Sequence, residues 1–503
     1  MKDSMPASRN LAGSRAGDGQ QAQPRGEIAG AMKTNIAVWP SWRGSRLGRM
    51  ALGLADQGFS AGGMFLVNVS LARTQSKEDF GTFALSYSIF TFLAALHNSA
   101  VLEPYTVYGA GRYQNRFSAY SRLMRRSNAI VGAGLSLLLL LACLLLRWIA
   151  PQVPTRSLFG LGLALSIILS AGFLRRGFYL ERKPASAATM SLAFFTAVAL
   201  LLWLAVRTHH LDNFSVFLIV AMAWLAAAAV AFPRHASAHS WNSFLATEPG
   251  YWREHWKYSR WVLAMTFIFQ FMHQGYYWMV AGFLSVPEVG DLKAMYLLIA
   301  PVELAMISLS FLVLPSLTAK YAGGNRAGFF SLLQRYVCGM LVVAVLFALT
   351  VRLAGRFVMH VLYAGKFDSS SRLLFPLALV PLATAVGIAL SDALRAAERP
   401  RLNFFAYVGS ALATVLLGIP LVIHFGLPGA VYGMLLSGAA FAGALALLFW
   451  RHISTQPAAG AISDAISSPD LISSGSIQHP PPSRPSGNAP SVPEPVLVRE
   501  AIP

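Results

Sequence analysis

The sequence predicts an all-α polytopic membrane protein with about 12 transmembrane helices, arranged as two six-helix bundles related by a parallel repeat. Of the 503 residues, 55% are hydrophobic and only 12% are charged, which leaves too few charges to cover a soluble protein of this length. The apolar residues also fall into runs of roughly 20, the length of a helix that crosses a bilayer. Backbone groups in lipid must bond within their own segment, so these runs predict helices.

Twelve such runs can be placed along the chain. Six are predicted near residues 49–72, 82–103, 128–150, 157–178, 186–206 and 214–233. Six more are predicted near 259–282, 291–315, 336–354, 373–394, 404–425 and 428–450. Residues 1–42 and 453–503 are polar and rich in Gly, Ser or Pro, and are expected to be disordered cytoplasmic tails. The expected bundles cover 43–240 and 259–452, with a tryptophan-rich, interfacial amphipathic linker over 241–258.

The net charge of +19 has a topological explanation. Basic residues concentrate in alternate loops, as in the cluster Arg122, Arg125 and Arg126 before the third span. The few basic residues assigned to the opposite side include Lys77 and Lys293. This bias follows the positive-inside rule and predicts a multi-pass protein of the cell inner membrane with both termini in the cytoplasm. Nucleic acid is not an expected partner.

Two short motifs recur in the two halves. Ser76–Gly81 before the second span and Ser285–Gly290 before the eighth both read as Ser, two variable residues, an acid, an apolar residue and Gly. Glu181–Pro184 after the fourth span resembles Glu398–Pro400 after the tenth. The offsets of 209 and 216 residues each carry one span onto the sixth span after it, and an even shift preserves membrane orientation. Parallel repeats suit alternating access about a central site.

Several motifs resemble those of the multidrug, oligosaccharidyl-lipid and polysaccharide exporter superfamily. They are Ser76–Gly81, Leu314–Leu317, Leu362–Phe367 and Phe425–Ala430. Glu103–Pro104 with Gly109–Tyr113 is similar to the polysaccharide-biosynthesis branch, the Wzx-type O-antigen and exopolysaccharide flippases. The resemblance covers residues 43–452. It implies two six-helix bundles around a cavity, transfer of an undecaprenyl-pyrophosphate-linked oligosaccharide across the membrane for surface polysaccharide or lipopolysaccharide synthesis, and polymerase and glycosyltransferase partners.

The seventh span carries a polar stripe that predicts a substrate cavity. Its residues differ by 4, 3, 1 and 3 positions and share one helix face: Thr266, Gln270, His273, Gln274 and Tyr277. Polar side chains at bilayer depth usually face a bundle interior or a water-filled path, and amides and hydroxyls suit contact with sugars. The alternative is hydrogen bonding between helices that only holds the bundles together. Gln57 and Asn68 of the first span are predicted to line the same cavity.

Two carboxylates within spans are candidates for binding a coupling proton or cation. Asp56 lies in the first span, and its alternative role is an ion pair with a basic residue at the cytoplasmic rim. Glu303 lies deeper, in the eighth span, where Pro301 should loosen the helix. Its alternative role is that of a buried pairing partner.

Three arginines at the cytoplasmic ends of spans are candidates for binding the pyrophosphate. Arg175 and Arg176 end the fourth span and Arg395 ends the tenth. Guanidinium groups make bidentate contacts with phosphates, which suits this role. Ordinary topogenic charge is the alternative for each of them.

The sequence lacks the usual motifs of cofactor chemistry. It contains no Gly-x-x-x-x-Gly-Lys-Ser/Thr loop, no His-Glu-x-x-His pair and no cysteine cluster, so we expect no cofactor, no metal and no enzyme. Two alternatives stay open. A multidrug or cation antiporter of the same superfamily should have an acidic, aromatic cavity, whereas a membrane glycan polymerase or ligase should carry a large outer loop.

Overall fold

The computed structural model describes residues 46–111, 113–150, 155–231 and 251–454. The predicted N-terminal tail, residues 455–503 and residues 241–250 of the predicted linker lie outside these ranges. Contacts divide the chain into Met1–Arg49 and Met50–Pro503. Of the first unit only the start of α1 is described, and everything below concerns the second.

The described chain is built from helices, which we group into two halves. The N-half contains α1 (Arg46–Thr74), α2 (Lys77–His97), α3 (Glu103–Ala110), α4 (Phe117–Ile149), α5 (Arg156–Leu180), α6 (Pro184–Arg207) and α7 (Ser215–Ala231). The C-half contains α8 (Tyr251–Phe283), α9 (Val286–Ala322), α10 (Arg326–Tyr363), α11 (Leu374–Ala378), α12 (Val380–Ala396), α13 (Pro400–Ala413) and α14 (Ile419–Phe449). A π-helical turn, Asn98–Leu102, joins α2 to α3.

The helices confirm the predicted polytopic membrane fold. Within the described ranges, eight helical segments are long and apolar enough to cross a membrane, and the shorter Ser215–Ala231 is also apolar. One segment, Arg401–His452, holds the last two predicted spans, which separate where Gly426 adopts φ 64° and ψ −141°. Together with α1, α7 and α8, these helices account for all the predicted spans. Leucines of α4 are exposed, among them Leu137, Leu138 and Leu141, as a lipid-facing helix requires.

One boundary differs from the prediction. Residues 251–258, assigned to a separate interfacial linker, are the first two turns of α8 and continue directly into the seventh span. Trp252 and Trp256 on these turns are exposed, as indole rings at a membrane surface are. The helix continues because no Pro or Gly interrupts residues 251–274 and each backbone group finds its partner one turn away.

The two halves meet mainly along α2, which packs against α9 and α8. The two copies of the repeated motif form the first part of this contact, which we call the α2–α9 junction (residues 76–81 and 285–290). A Cβ atom at Gly81 would overlap the Val286 carbonyl oxygen, and one at Gly290 would lie 2.7 Å from the Lys77 oxygen. Only glycine permits this approach of two helix backbones.

Charged side chains surround the α2–α9 junction. The Lys77 ammonium lies 3.0 Å from the Asp291 carboxylate. Lys366, in the segment after α10, donates to the carbonyl oxygens of Ala72, Arg73 and Gln75 at the end of α1. Burial lowers the pKa of the Lys366 ammonium from its ordinary value. These bonds tie the C-half to the connection between α1 and α2.

Candidate substrate cavity

A cavity of about 510 Å³, which we call the C-half cavity, lies between α8, α9, α12, α13 and α14, and Thr91 of α2 also lines it. Four residues of the predicted stripe line it: Gln270, His273, Gln274 and Tyr277. Their shared helix face brings them to one wall, as the spacing indicates. Thr266, one turn before, does not line it, and its hydroxyl lies 2.6 Å from the Ser99 hydroxyl of the N-half. Thr266 therefore forms a hydrogen bond between the two halves, which was the alternative role considered for the polar stripe.

Lys293 is a cavity residue that the sequence marked only as one of the few basic residues of the outer side, at the start of the predicted eighth span. It lies two turns inside α9, is only 9% exposed, and lines the cavity. Its ammonium lies 4.2 Å from the ring centroid of Tyr87 and 5.8 Å from that of Tyr277. Both distances are within the range of cation–π contacts. The cavity therefore contains a cation held between two aromatic rings, one from each half.

Two carboxylates also line this cavity, Glu303, which is half-buried, and Asp392, which is buried. Glu303 accepts a hydrogen bond of 2.5 Å from the Tyr296 hydroxyl. Asp392, which the sequence analysis did not single out, accepts bonds from Ser310 at 2.5 Å and from Tyr336 at 2.8 Å. Its donors come from α9 and α10, far from it in sequence. No spacing along α12 could have indicated this cluster.

The predicted arginines do not converge on one site. Arg395 lines the C-half cavity, where its guanidinium lies 3.6 Å from the Asp392 carboxylate. Arg175 lines a different cavity in the N-half. Arg176 donates to the Asn98 amide oxygen at 3.4 Å. A joint role in holding one pyrophosphate therefore stays a prediction.

The second cavity, of about 320 Å³, lies between α1, α2, α5 and α7 in the N-half. Five aromatic residues line it: Phe83, Tyr87, Phe90, Phe217 and Trp224. His97, Asn98 and Arg175 supply polar groups to its wall. None of its lining residues in the described part of the chain is acidic.

Asp56 lies beside this cavity but does not line it. Its carboxylate is fully buried and lies 3.1 Å from the Arg175 guanidinium. Tyr179 and Ser191 donate further hydrogen bonds to it, at 2.6 and 2.5 Å. The ion pair with a basic residue, the alternative considered for Asp56, is thus present. Ion coupling by Asp56 stays a prediction.

Gln57 and Asn68 line neither of these two cavities, and their part in a substrate site stays a prediction. Gln57 follows Asp56 on the exposed side of α1. Asn68 is buried, but its amide turns back along the helix and donates to the Met64 carbonyl at 2.7 Å. Local bonding of this kind competes with longer-range contacts and is invisible in a pattern of polar positions.

Comparison with known proteins gives the class of fold. No protein-family model matches the chain, and no curated relative does. Among solved structures, an inward-facing multidrug resistance MATE family transporter of the MOP superfamily is similar over 80% of this chain and 97% of its own, with 10% identity and a TM-score of 0.66. Lipid II flippase MurJ, in an inward closed conformation, is similar over 83% and 89%, with 14% identity and a TM-score of 0.59.

A MOP superfamily transporter from Pyrococcus furiosus, described by the reverse polarity of its binding pocket, is similar over 80% of this chain and 93% of its own, with 12% identity and a TM-score of 0.57. The chain therefore has the fold of MOP superfamily transporters. These structural neighbours are transporters and not enzymes. At such identities the similarity establishes the fold alone, and the substrate has to be inferred from the chemistry of the cavity.

Proposed function

We propose that this protein is a flippase that moves a polyprenyl-pyrophosphate-linked oligosaccharide across the inner membrane by ion-coupled alternating access, for surface or exopolysaccharide synthesis. The observation that carries the proposal is the C-half cavity, in which amide, imidazole and phenol groups stand beside the buried ammonium of Lys293. Sugars need many hydrogen-bonding partners, and a diphosphate needs a cation. One cavity supplies both.

The cavity carries two cations and two carboxylates, and the placement of one of the cations favours an anionic headgroup. Arg395 and Lys293 bring two positive charges, while Asp392 and Glu303 accept bonds from neighbouring hydroxyls. Arg395 also has Asp392 as a partner, whereas the contacts of Lys293 within the described residues are aromatic rings. A cation whose charge is not offset by an adjacent carboxylate attracts an anion most strongly. Lys293 is thus the proposed diphosphate contact, and Glu303 the proposed coupling group.

Substitution of Lys293 tests the proposal. Lys293→Met keeps an unbranched side chain and removes the charge, so we expect export of lipid-linked repeat units to fall by about tenfold or more. Lys320→Met, at the far end of the same helix and outside both cavities, is the matched control. Accumulation of lipid-linked repeat units on the cytoplasmic leaflet is the measurement. Normal surface polysaccharide in a strain that lacks the protein and any paralogue would contradict the proposal.

A cation exporter is the second candidate function. It is favoured by the two carboxylates that line the C-half cavity and by the similarity to the MATE family transporter. Susceptibility of a deletion strain to cationic drugs separates the two candidates. Increased susceptibility with intact surface polysaccharide would support the exporter.

A further inference from the structure

The N-half cavity is apolar over most of its wall, apart from Ser60, His97, Asn98 and Arg175, and the headgroup contacts proposed above lie in the other cavity. Five aromatic rings of α2 and α7 stand in its wall among aliphatic side chains, and the ring centroids of Phe83 and Phe217 are 5.5 Å apart. Sugars would find few hydrogen-bonding partners there. A cationic drug would find no carboxylate among the described lining residues. The chemistry of the wall suits an uncharged, unsaturated hydrocarbon.

Tyr87 connects this cavity to the C-half cavity. Its ring belongs to the wall of the N-half cavity, and the Lys293 ammonium, which belongs to the C-half cavity, lies 4.2 Å from the centroid of the same ring. An anionic group held by Lys293 would therefore have polar space on one side and aromatic space on the other. This order of environments matches that of a lipid-linked saccharide: sugar, diphosphate, hydrocarbon.

We infer that the N-half cavity binds the isoprene units next to the diphosphate of the lipid carrier, an inference that rests on the proposed function. At about 320 Å³ the cavity is at the lower end of the about 300–1,000 Å³ typical of small-molecule sites. It therefore holds only a short segment, and the rest of the chain stays in the bilayer. The branched, unsaturated isoprene units pack against the rings of Phe83, Tyr87 and Phe90.

Gly172 offers a direct way to fill this cavity. It lies on α5 in the cavity wall, and a Cβ atom added there meets no heavy atom within 4 Å. Gly172→Leu therefore places an isobutyl group in the space without a clash at its base. Gly134→Leu on α4 is the matched control, because its added Cβ also meets nothing within 4 Å and the residue lines neither cavity.

The experiment measures binding of farnesyl diphosphate, a C15 isoprenoid diphosphate, to the purified full-length protein in detergent. We expect Gly172→Leu to weaken binding about tenfold or more, and Gly134→Leu to bind as the wild type does. A nucleotide-diphosphate sugar without an isoprenoid should bind all three proteins equally. The thermal unfolding midpoint of each variant establishes that it is folded.

Other outcomes would overturn the inference. Unchanged binding of farnesyl diphosphate to folded Gly172→Leu means that the hydrocarbon lies elsewhere. If Gly172→Leu weakens the binding of dodecyl phosphate as much as that of farnesyl diphosphate, the cavity accepts any alkyl chain. If tetraphenylphosphonium binds in this cavity, it is a cation site. Failure of the proposed function itself looks different, because the wild type would then bind neither the isoprenoid diphosphate nor the sugar diphosphate.

Discussion

The two ends of α2 contact the C-half in different ways. At its start, Gly81 and Gly290 bring two helix backbones together without a side chain between them. Past its other end the contacts are made by side chains, such as the 5.8 Å contact between the Tyr108 and Tyr258 rings and the 3.1 Å bond from the Tyr258 hydroxyl to Glu103. Close-packed backbones accept no added atom, whereas water can replace a side-chain hydrogen bond at little net cost. The comparison indicates one fixed and one exchangeable end of the same helix.

The largest effect is expected where no atom can be added. Gly81→Ala should destabilise the protein by about 1–3 kcal/mol, since its methyl group overlaps the Val286 carbonyl and the helices must separate. The thermal unfolding midpoint in detergent measures this. Gly282→Ala on α8, whose Cβ meets nothing within 4 Å, is the control and should be neutral or slightly stabilising. Equal unfolding midpoints for Gly81→Ala and Gly282→Ala would contradict a fixed contact at the start of α2.

An intermediate effect is expected for the ion pair at the same junction. The Lys77 and Asp291 side chains are 30% and 11% exposed, so reversing one charge should cost on the order of 1–2 kcal/mol. Lys77→Asp combined with Asp291→Lys restores opposite charges and should recover part of the loss. The same unfolding measurement on both single variants and the double variant gives the coupling energy. A double variant as unstable as the sum of the singles would show that the pair contributes nothing.

A smaller effect is expected at the exchangeable end. Tyr258→Phe removes the hydroxyl that bonds to Glu103 and should cost about 0.5–1.5 kcal/mol, because water can reach the carboxylate instead. Unfolding midpoints again provide the measurement, with Tyr432→Phe, an exposed tyrosine on α14, as the control. A loss as large as that of Gly81→Ala would contradict the distinction between the two ends.

The smallest effect is expected for the hydroxyl pair beside it. Ser99→Ala leaves Thr266 without its 2.6 Å partner, and a threonine hydroxyl can turn to a carbonyl of its own helix. We expect a change below about 1 kcal/mol. A cysteine introduced at this end, in a protein whose own Cys143 and Cys338 have been replaced, should become more accessible to a membrane-impermeant thiol reagent when Ser99 is changed to Ala. No change in accessibility would mean that the contact does not hold the end closed.

The sequence predicted the features that depend on the spacing of residues along a single helix. Apolar runs located the spans because a bilayer fixes helix length, and the polar stripe of α8 located one wall of the cavity because its residues share a helix face. The repeated motif was also recognised from the sequence, but the contact between its two copies at the α2–α9 junction was not predicted. Glycine in both copies was the available signal, since such residues permit close helix packing.

The remaining site residues depend on contacts between distant segments. Lys293 lies near the start of the predicted eighth span and was counted only as a basic residue of the outer side, whereas in the structure it is buried in α9 against Tyr87. Asp392 gains its bonds from α9 and α10, and Asp56 finds Arg175 on α5. The contacts of Gln57 and Asn68 were not predictable, because polarity within a span does not reveal which neighbour a side chain meets.

Because Lys366 of the C-half bonds to backbone carbonyls of α1, separation of the two halves would also affect the main chain of α1. The last turn of α1 is terminated by an ammonium group that belongs to the other half, through the carbonyls of Ala72, Arg73 and Gln75. Withdrawal of that group would uncap α1 and leave the negative end of its dipole to solvent. This single turn would then fray whenever the two halves separate. Faster amide deuterium uptake near residues 70–75 would show the fraying without a probe attached to the protein.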